Sequence, residues 1–113
     1  MKKVGYWYSK EEPKLPMPVQ QGPDSEWVLA GRPAAFAKLL NIVERLARCR
    51  GFKGSSKCRI CGKRNGSMEY SYKGWMWPEG YMHYIKDHNV RPPMRFVAFV
   101  VSEITKAKGL KNA

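Results

Sequence analysis

Two cysteines and two histidines stand at spacings typical of metal ligands. Cys58 and Cys61 have two residues between them, and the two histidines of the chain, His83 and His88, follow with four residues between them. The pattern is C-x2-C, twenty-one residues, then H-x4-H. Two thiolates and two imidazoles fill the four tetrahedral positions around a zinc ion and leave none open for a substrate. The sequence therefore predicts a structural Zn²⁺ held by these four side chains.

The cysteine count bears on two rival chemistries. Three cysteines make a poor disulfide framework, and a C-x2-C pair in a reducing compartment more often binds metal or does redox work. A redox pair usually opens a helix beside a βαβ pattern, which is not evident here. The third cysteine, Cys49, falls on the flank of a predicted helix. We expect it to be a small buried residue. It would be the fourth metal ligand if one of the two histidines did not bind the metal.

The elements between the four ligands are predicted to form a turn, a hairpin and a helix. The cysteines fit a tight turn closed by Gly62, because glycine lets the backbone approach a metal closely. Residues 67–72 and 75–77 carry the aromatic, alternating pattern of a β-hairpin. Pro78 suits the first position of a helix over residues 78–87, with His88 at its end.

The spacing of the two histidines constrains that helix. Positions five residues apart lie about 140° apart around an ideal helix, so His83 and His88 do not face the same way while the helix continues. We expect the helix to loosen or end at His88. Asn89 suits a left-handed stop there.

The order of cysteine turn, hairpin and helix with two histidines resembles the ββα zinc finger with two cysteines and two histidines. The resemblance covers residues 58–88 only, and twenty-one residues separate Cys61 from His83, where that class has about twelve. It implies a zinc-stapled module. We transfer no base-contacting positions to this chain.

The rest of the chain predicts a small α+β single domain. An amphipathic helix is predicted over residues 33–50, and a C-terminal helix that packs on it starts after Pro93. Four prolines and the aromatic run Tyr6-Trp7-Tyr8 make residues 1–30 an extended arm that we expect to pack on its own domain or on a partner. The predicted organisation is thus the arm at 1–30 and a zinc-stapled domain at 31–113.

The charge indicates an anionic partner, with nucleic acid first. The formal net charge is +12, and residues 31–57 hold seven basic residues against one acidic residue. We expect a nucleic-acid-binding accessory or regulatory protein, rather than an enzyme, that binds DNA or RNA by charge with little base-specific readout. The predicted phosphate contacts are Lys38, Arg45, Arg48, Arg50, Lys53, Lys57, Arg59, Lys63 and Arg64.

Two alternatives stay open. A protein-interaction module would dock on a larger complex through the aromatic N-terminal arm and an aromatic surface, since exposed Trp and Tyr often dominate interfaces. Asp87-His88, with Pro92 after it, also resembles the Asp-His-x-x-Pro segment of HNH metal-dependent nucleases, although the proline is one residue late and no second C-x2-C pair follows. The predicted partner surface is Tyr6, Trp7, Tyr8, Trp75 and Trp77.

The start of the chain predicts an intracellular protein. Met1 to Lys3 are followed by no apolar run of the kind that a signal peptide needs. No apolar run approaches the roughly 18 residues of a membrane span. We therefore expect no membrane partner.

Overall fold

The computed structural model describes the backbone of residues 1–112 and the side chains of residues 1–51 and 54–107. Within that part of the chain, four helices pack with one mixed four-stranded sheet, so the predicted α+β single domain is confirmed. The elements in chain order are β1 (Lys2–Lys3), α1 (Glu26–Leu29), α2 (Arg32–Leu46), β2 (Arg48–Lys57), β3 (Arg64–Tyr72), β4 (Trp75–Pro78), α3 (Tyr81–His88) and α4 (Met94–Asn112).

The sheet has the strand order β1-β4-β3-β2, with β2 at one edge. Strand β3 pairs antiparallel with both β2 and β4, and β1 pairs parallel with β4. The predicted hairpin is β3–β4, turned at Lys73 and Gly74, which both have positive φ (46° and 86°). Such φ values suit the two-residue turns that match the strand twist.

The core lies where α2, α3 and α4 meet β4. Phe96 of α4 is 0% exposed, and its ring centroid lies 5.2 Å from that of Trp75 and 5.3 Å from that of Trp77. Helix α4 packs on α2, as the sequence predicted. Trp75 and Trp77 are 7% and 0% exposed, so their prediction as a partner surface is wrong. Alternate residues of a strand share one face, and helices cover this face.

The chain leaves the first long helix four residues earlier than predicted. Helix α2 ends at Leu46, and Ala47 is already extended with ψ 157°. Arg48 and Arg50 then pair with Ser71 and Glu69 of β3. The last three residues of the predicted helix, 48–50, thus belong to strand β2. Cys49, expected to be buried, is exposed in this edge strand.

Residues 1–30 contribute to the domain's own core. Val4 is 8% exposed and Trp27 is 4% exposed, and both belong to the main hydrophobic cluster. Residues 5–16, called the strap below, fold back on themselves through a 2.9 Å hydrogen bond from Tyr8 N to Pro16 O. The predicted arm therefore packs on its own domain.

One carboxylate is half-buried beside the core. Trp77 Nε1 donates a 2.9 Å hydrogen bond to Glu44 Oε2. Burial raises the pKa of Glu44 to about 7, with a smaller contribution from the nearby charge of Glu79, although the hydrogen bond from Trp77 opposes the shift. The unfolded chain ionises Glu44 near its ordinary pKa of 4.5. Folding therefore becomes less favourable as the pH rises from about 4.5 through about 7.

We expect Glu44→Gln to stabilise the protein at pH 8 by roughly 1–2 kcal/mol, a figure reduced for the partial exposure of the side chain. Glutamine still accepts from Trp77 but never ionises. Urea unfolding of both proteins from pH 5 to pH 8 measures the difference, which should widen up to about pH 7 and then stay constant. Glu11→Gln, at an exposed position, corrects for the change in net charge. A pH-independent difference would contradict this account.

Candidate metal centre

The two cysteines lie in a tight turn between β2 and β3, called the knuckle below (residues 58–63). Cys58 N donates to Lys63 O at 2.8 Å, and Gly62 N donates to Cys58 O at 2.9 Å. Gly62 has a φ of 76°, the left-handed region that glycine adopts without strain. Ile60 N lies 3.4 Å from Cys58 Sγ and donates to it. The knuckle thus holds the Cys58 sulfur in a fixed position.

The two histidines come from α3 and its last residue. The helix ends at His88, and Asn89 follows in the left-handed conformation with φ 53°, as the spacing predicted. Val90 N then donates to Tyr84 O at 3.0 Å and closes the end. Because the helix stops there, the rings of His83 and His88 lie with centroids 4.8 Å apart and planes at 82°.

The knuckle and α3 bring the four predicted ligands together. One ligand atom from each of Cys58, Cys61, His83 and His88 lies within 4.8 Å of the others. Cys61 Sγ and His83 Nε2 are 3.4 Å apart. Zinc bonds of about 2.0–2.3 Å imply tetrahedral edges of about 3.3–3.8 Å, so the widest pair has to close by about 1 Å. The group could therefore hold a metal ion.

The histidine nitrogens fit such an ion. His83 Nδ1 lies 2.9 Å from Asp87 Oδ2, which leaves Nε2 directed at Cys61. His88 Nε2 is buried and has no hydrogen-bond partner among the described residues. A buried nitrogen without a partner is costly unless a proton donor or a metal satisfies it. Two sulfurs and two imidazole nitrogens are the donor set that zinc accepts.

The centre is apolar on one side and open on the other. Cys58, Tyr84 and Val90 are 3%, 3% and 2% exposed and form a small cluster on which Trp7 of the strap packs. Tyr84 Oη accepts a 2.7 Å hydrogen bond from Arg59 N. Cys61 is exposed. A bound ion would thus join the knuckle to α3 beneath the strap.

Asp87 is a site residue that the sequence suggested only for the nuclease hypothesis. Its carboxylate instead orients His83 from one turn away on α3. The sequence contains a signal for this role, the i, i+4 spacing of His83 and Asp87, which places two helical side chains beside each other. The group of four ligands contains no carboxylate among the described residues, whereas a metal-dependent nuclease would need one. The nuclease hypothesis therefore gains no support.

We expect Asp87→Ala to weaken zinc affinity about tenfold, at the lower end of the effect of losing a partner to a metal-bound histidine, because Asp87 is partly exposed. Competition with a chromophoric chelator measures the affinity. Lys86→Ala, at the preceding exposed position of α3, is the control and should bind zinc as the parent does. Equal affinities for both variants would show that Asp87 does not orient His83.

Comparison of the chain with protein-family models, with curated proteins and with solved structures finds no match. In the described part of the chain, no helix combines the length and the apolar character that crossing a membrane requires.

The structure divides the predicted phosphate contacts between two elements. Lys38 and Arg45 are exposed on α2, and the side chain of Lys53 lies outside the described ones. The other six follow the edge strand and the knuckle, all exposed, and are called the basic ridge below. The basic ridge consists of Arg48, Arg50, Lys57, Arg59, Lys63 and Arg64.

Two arginines of the basic ridge have fixed positions. Arg50 forms a 2.9 Å ion pair with Glu69, so its charge is balanced. Arg59 donates from Nε to Tyr8 O at 2.6 Å and from Nη1 to Lys57 O, both neutral carbonyls. Its charge is therefore held in place without being cancelled. Among the described side chains, Glu69 is the carboxylate that pairs with the basic ridge.

The aromatic residues of the strap are mostly engaged within the fold. Tyr6 Oη donates to Glu69 Oε2 at 2.8 Å. Trp7 packs edge-on against Tyr84, with ring centroids 5.7 Å apart. Tyr8, at 41% exposed, offers the most accessible ring of the three. The predicted partner surface is thus much smaller than the five aromatic residues suggested.

Proposed function

We propose that this protein is a zinc-stapled accessory or regulatory protein that binds nucleic acid. Cys58, Cys61, His83 and His88 hold a structural zinc, which cross-links the knuckle to α3. Two thiolates balance the two positive charges of the ion. The closed centre therefore leaves the neighbouring cations uncompensated, and these cations form the working surface.

The observation that carries the proposal is a pair of cations placed directly opposite each other. Lys57 of β2 pairs across the strands with Arg64 of β3. Like charges in this arrangement cost roughly 0.2–1 kcal/mol. Arg59 and Lys63 follow in the same knuckle, and no carboxylate among the described side chains forms an ion pair with any of the four. A bound polyanion relieves this repulsion.

The shape of the basic ridge favours an extended anion over a small one. Strand β2 lies alongside β3 from Arg48, opposite Ser71, to Lys57, opposite Arg64. Because β2 bulges between these ends, it extends for roughly 23 Å at the usual rise of the facing strand. Arg48 lies at its first position and Lys57 at its last. A nucleic-acid strand can place several phosphates along such a length, and contact with phosphates needs no base-specific geometry.

Salt dependence tests this proposal. Zinc-loaded protein is titrated against fluorescent 20-mers, single-stranded and duplex, of DNA and of RNA, between 50 and 200 mM salt. The five ridge cations without a carboxylate partner predict a slope of log K against log salt of about −3.5 to −4.5. Absence of binding at 50 mM salt, or a flat slope, would overturn the proposal. Metal analysis of the same protein should give one zinc per chain.

A further inference from the structure

A cleft of about 370 Å³ lies between the strap and the strands that flank the knuckle. Its walls include Tyr6 and Trp7 of the strap, Ser56 of β2, Asn65 and Glu69 of β3, and Arg59 of the knuckle. This volume is at the small end of the range for ligand pockets, about 300–1,000 Å³. The cleft thus has room for one planar group, beside the cations of the basic ridge.

Two side chains in the walls hold polar atoms without partners. Both amide atoms of Asn65, Oδ1 and Nδ2, are buried and lack hydrogen bonds within the described residues. The same is true of Trp7 Nε1. Buried polar groups are normally satisfied, so such atoms point to a partner that completes them. An amide offers a donor and an acceptor side by side, which matches the edge of a nucleobase.

The rest of the cleft suits a base attached to a phosphate. The rings of Tyr6 and Trp7 provide aromatic surface, and bases stack on such surfaces whatever their identity. Arg59 lines the same cleft, held by the carbonyls of Tyr8 and Lys57. A positive charge is thus available at the cleft for the phosphate of an inserted nucleotide. Lys57 and Arg64 continue the cationic surface beyond Arg59.

We propose that this cleft takes one unpaired base of a single-stranded nucleic acid, while the basic ridge holds the adjoining phosphates. The inference rests on the proposed function and adds a preference for single strands to it. A base inside a duplex is stacked and paired, and its extraction is costly. A cleft that takes a base therefore selects strands whose bases are already free.

The strap has to move outward to admit the base, because the amide atoms of Asn65 are shielded from solvent. This movement has to release the packing of Trp7 on Tyr81 and Tyr84. Few described side-chain hydrogen bonds hold the strap in addition. Tyr6 Oη donates to Glu69, and Arg59 Nε donates to Tyr8 O. Trp7 moves with the strap, so its fluorescence reports entry of a base.

Binding of short oligonucleotides by the zinc-loaded full chain tests the inference. Homopolymeric single-stranded 12-mers of each base are compared with a duplex of equal length. We expect single strands to bind at least tenfold more tightly than the duplex, with affinities that differ between bases. Asn65→Ala should lose about tenfold on the preferred oligomer and reduce the differences between bases, with the salt slope unchanged. Asn41→Ala, at an exposed position on α2, is the matched control.

The outcomes separate the cleft from the proposed function. Equal binding of single strands and duplex, with Asn65→Ala behaving as the control, overturns the cleft, while a steep salt slope in the same titrations leaves the proposed function standing. Absence of binding to any oligomer overturns both. Trp7→Phe removes the indole N–H but keeps a ring for packing, so it supplies a second test if Asn65→Ala does not fold. It should weaken single-strand binding several-fold.

Discussion

Replacing Cys58 with serine is expected to abolish binding of the proposed zinc and to remove a large part of the folding stability. Cys58 is 3% exposed, and its backbone and sulfur are both held by hydrogen bonds of the knuckle. A serine hydroxyl is a poor zinc ligand, and three remaining donors cannot close a structural site. Structural zinc contributes a free energy of about 10–16 kcal/mol to the folding of small zinc peptides. Most folded domains are more stable than their unfolded state by only about 5–15 kcal/mol, so loss of the metal is a large effect on this scale.

The main core limits how much stability is lost with the metal. The large cluster around Phe96 is separate from the cluster of Cys58, Tyr84 and Val90. Residual structure around Phe96 is therefore compatible with loss of the metal. We expect a destabilisation of at least about 3 kcal/mol, which lowers Tm by more than about 10 °C in a domain of this size.

Metal analysis and thermal unfolding of Cys58→Ser measure both effects. Cys49→Ser is the matched control, because Cys49 is exposed in β2 and is not part of the ligand group. The control should retain one zinc per chain and the parent Tm. One zinc per chain in Cys58→Ser, with an unchanged Tm, would mean that the four side chains are not the metal site.

The candidate metal centre was readable from the sequence because its determinants are local. The C-x2-C turn needs only a few residues and Gly62. The histidine spacing, together with Asn89, contains the information that the helix ends at His88. Coordination chemistry then limits which residues belong together. Asp87 could have been assigned to His83 by the same i, i+4 argument.

Strand β2 could not be predicted from its own residues. The segment RCRGFKGSSK contains two glycines and no alternation of apolar and polar residues, which is the usual signal of a strand. Its pairing is with β3, the strand that follows the knuckle. The extended state at the edge of a sheet needs no buried face. Pairing with β3 therefore determines the extended conformation of a segment whose local propensity favours a loop.

The tryptophans show a different limit of the sequence. Trp75 and Trp77 alternate in β4, which indicates that they share a face of the sheet. Alternation does not say which face the helices cover. That depends on Phe96, twenty or so residues away, whose ring contacts both indoles. Two large aromatic residues in one strand are therefore as consistent with a surface as with a core until the packing is known.

Neutralising two facing cations of the basic ridge is expected to raise the stability of the protein and to weaken its binding of nucleic acid. The double variant Lys57→Gln, Arg64→Gln removes two like charges that face each other across β2 and β3. We expect it to be more stable than the parent by roughly 0.2–1 kcal/mol. If the same cations contact phosphates, the variant should bind nucleic acid roughly 20- to 60-fold more weakly at 100 mM salt, with a salt slope smaller by about 1.4–1.8.

The control for this variant is Lys38→Gln, Arg45→Gln, which lowers the net charge equally but lies on α2. A general effect of net charge would weaken binding to the same extent in both double variants. A contact surface at the basic ridge weakens it mainly in the first. If Lys57 and Arg64 do not contact nucleic acid, the first double variant is at least as stable as the parent and binds nucleic acid as tightly. A protein that retains two facing cations at a cost in stability, and loses binding when they are neutralised, uses them for its partner.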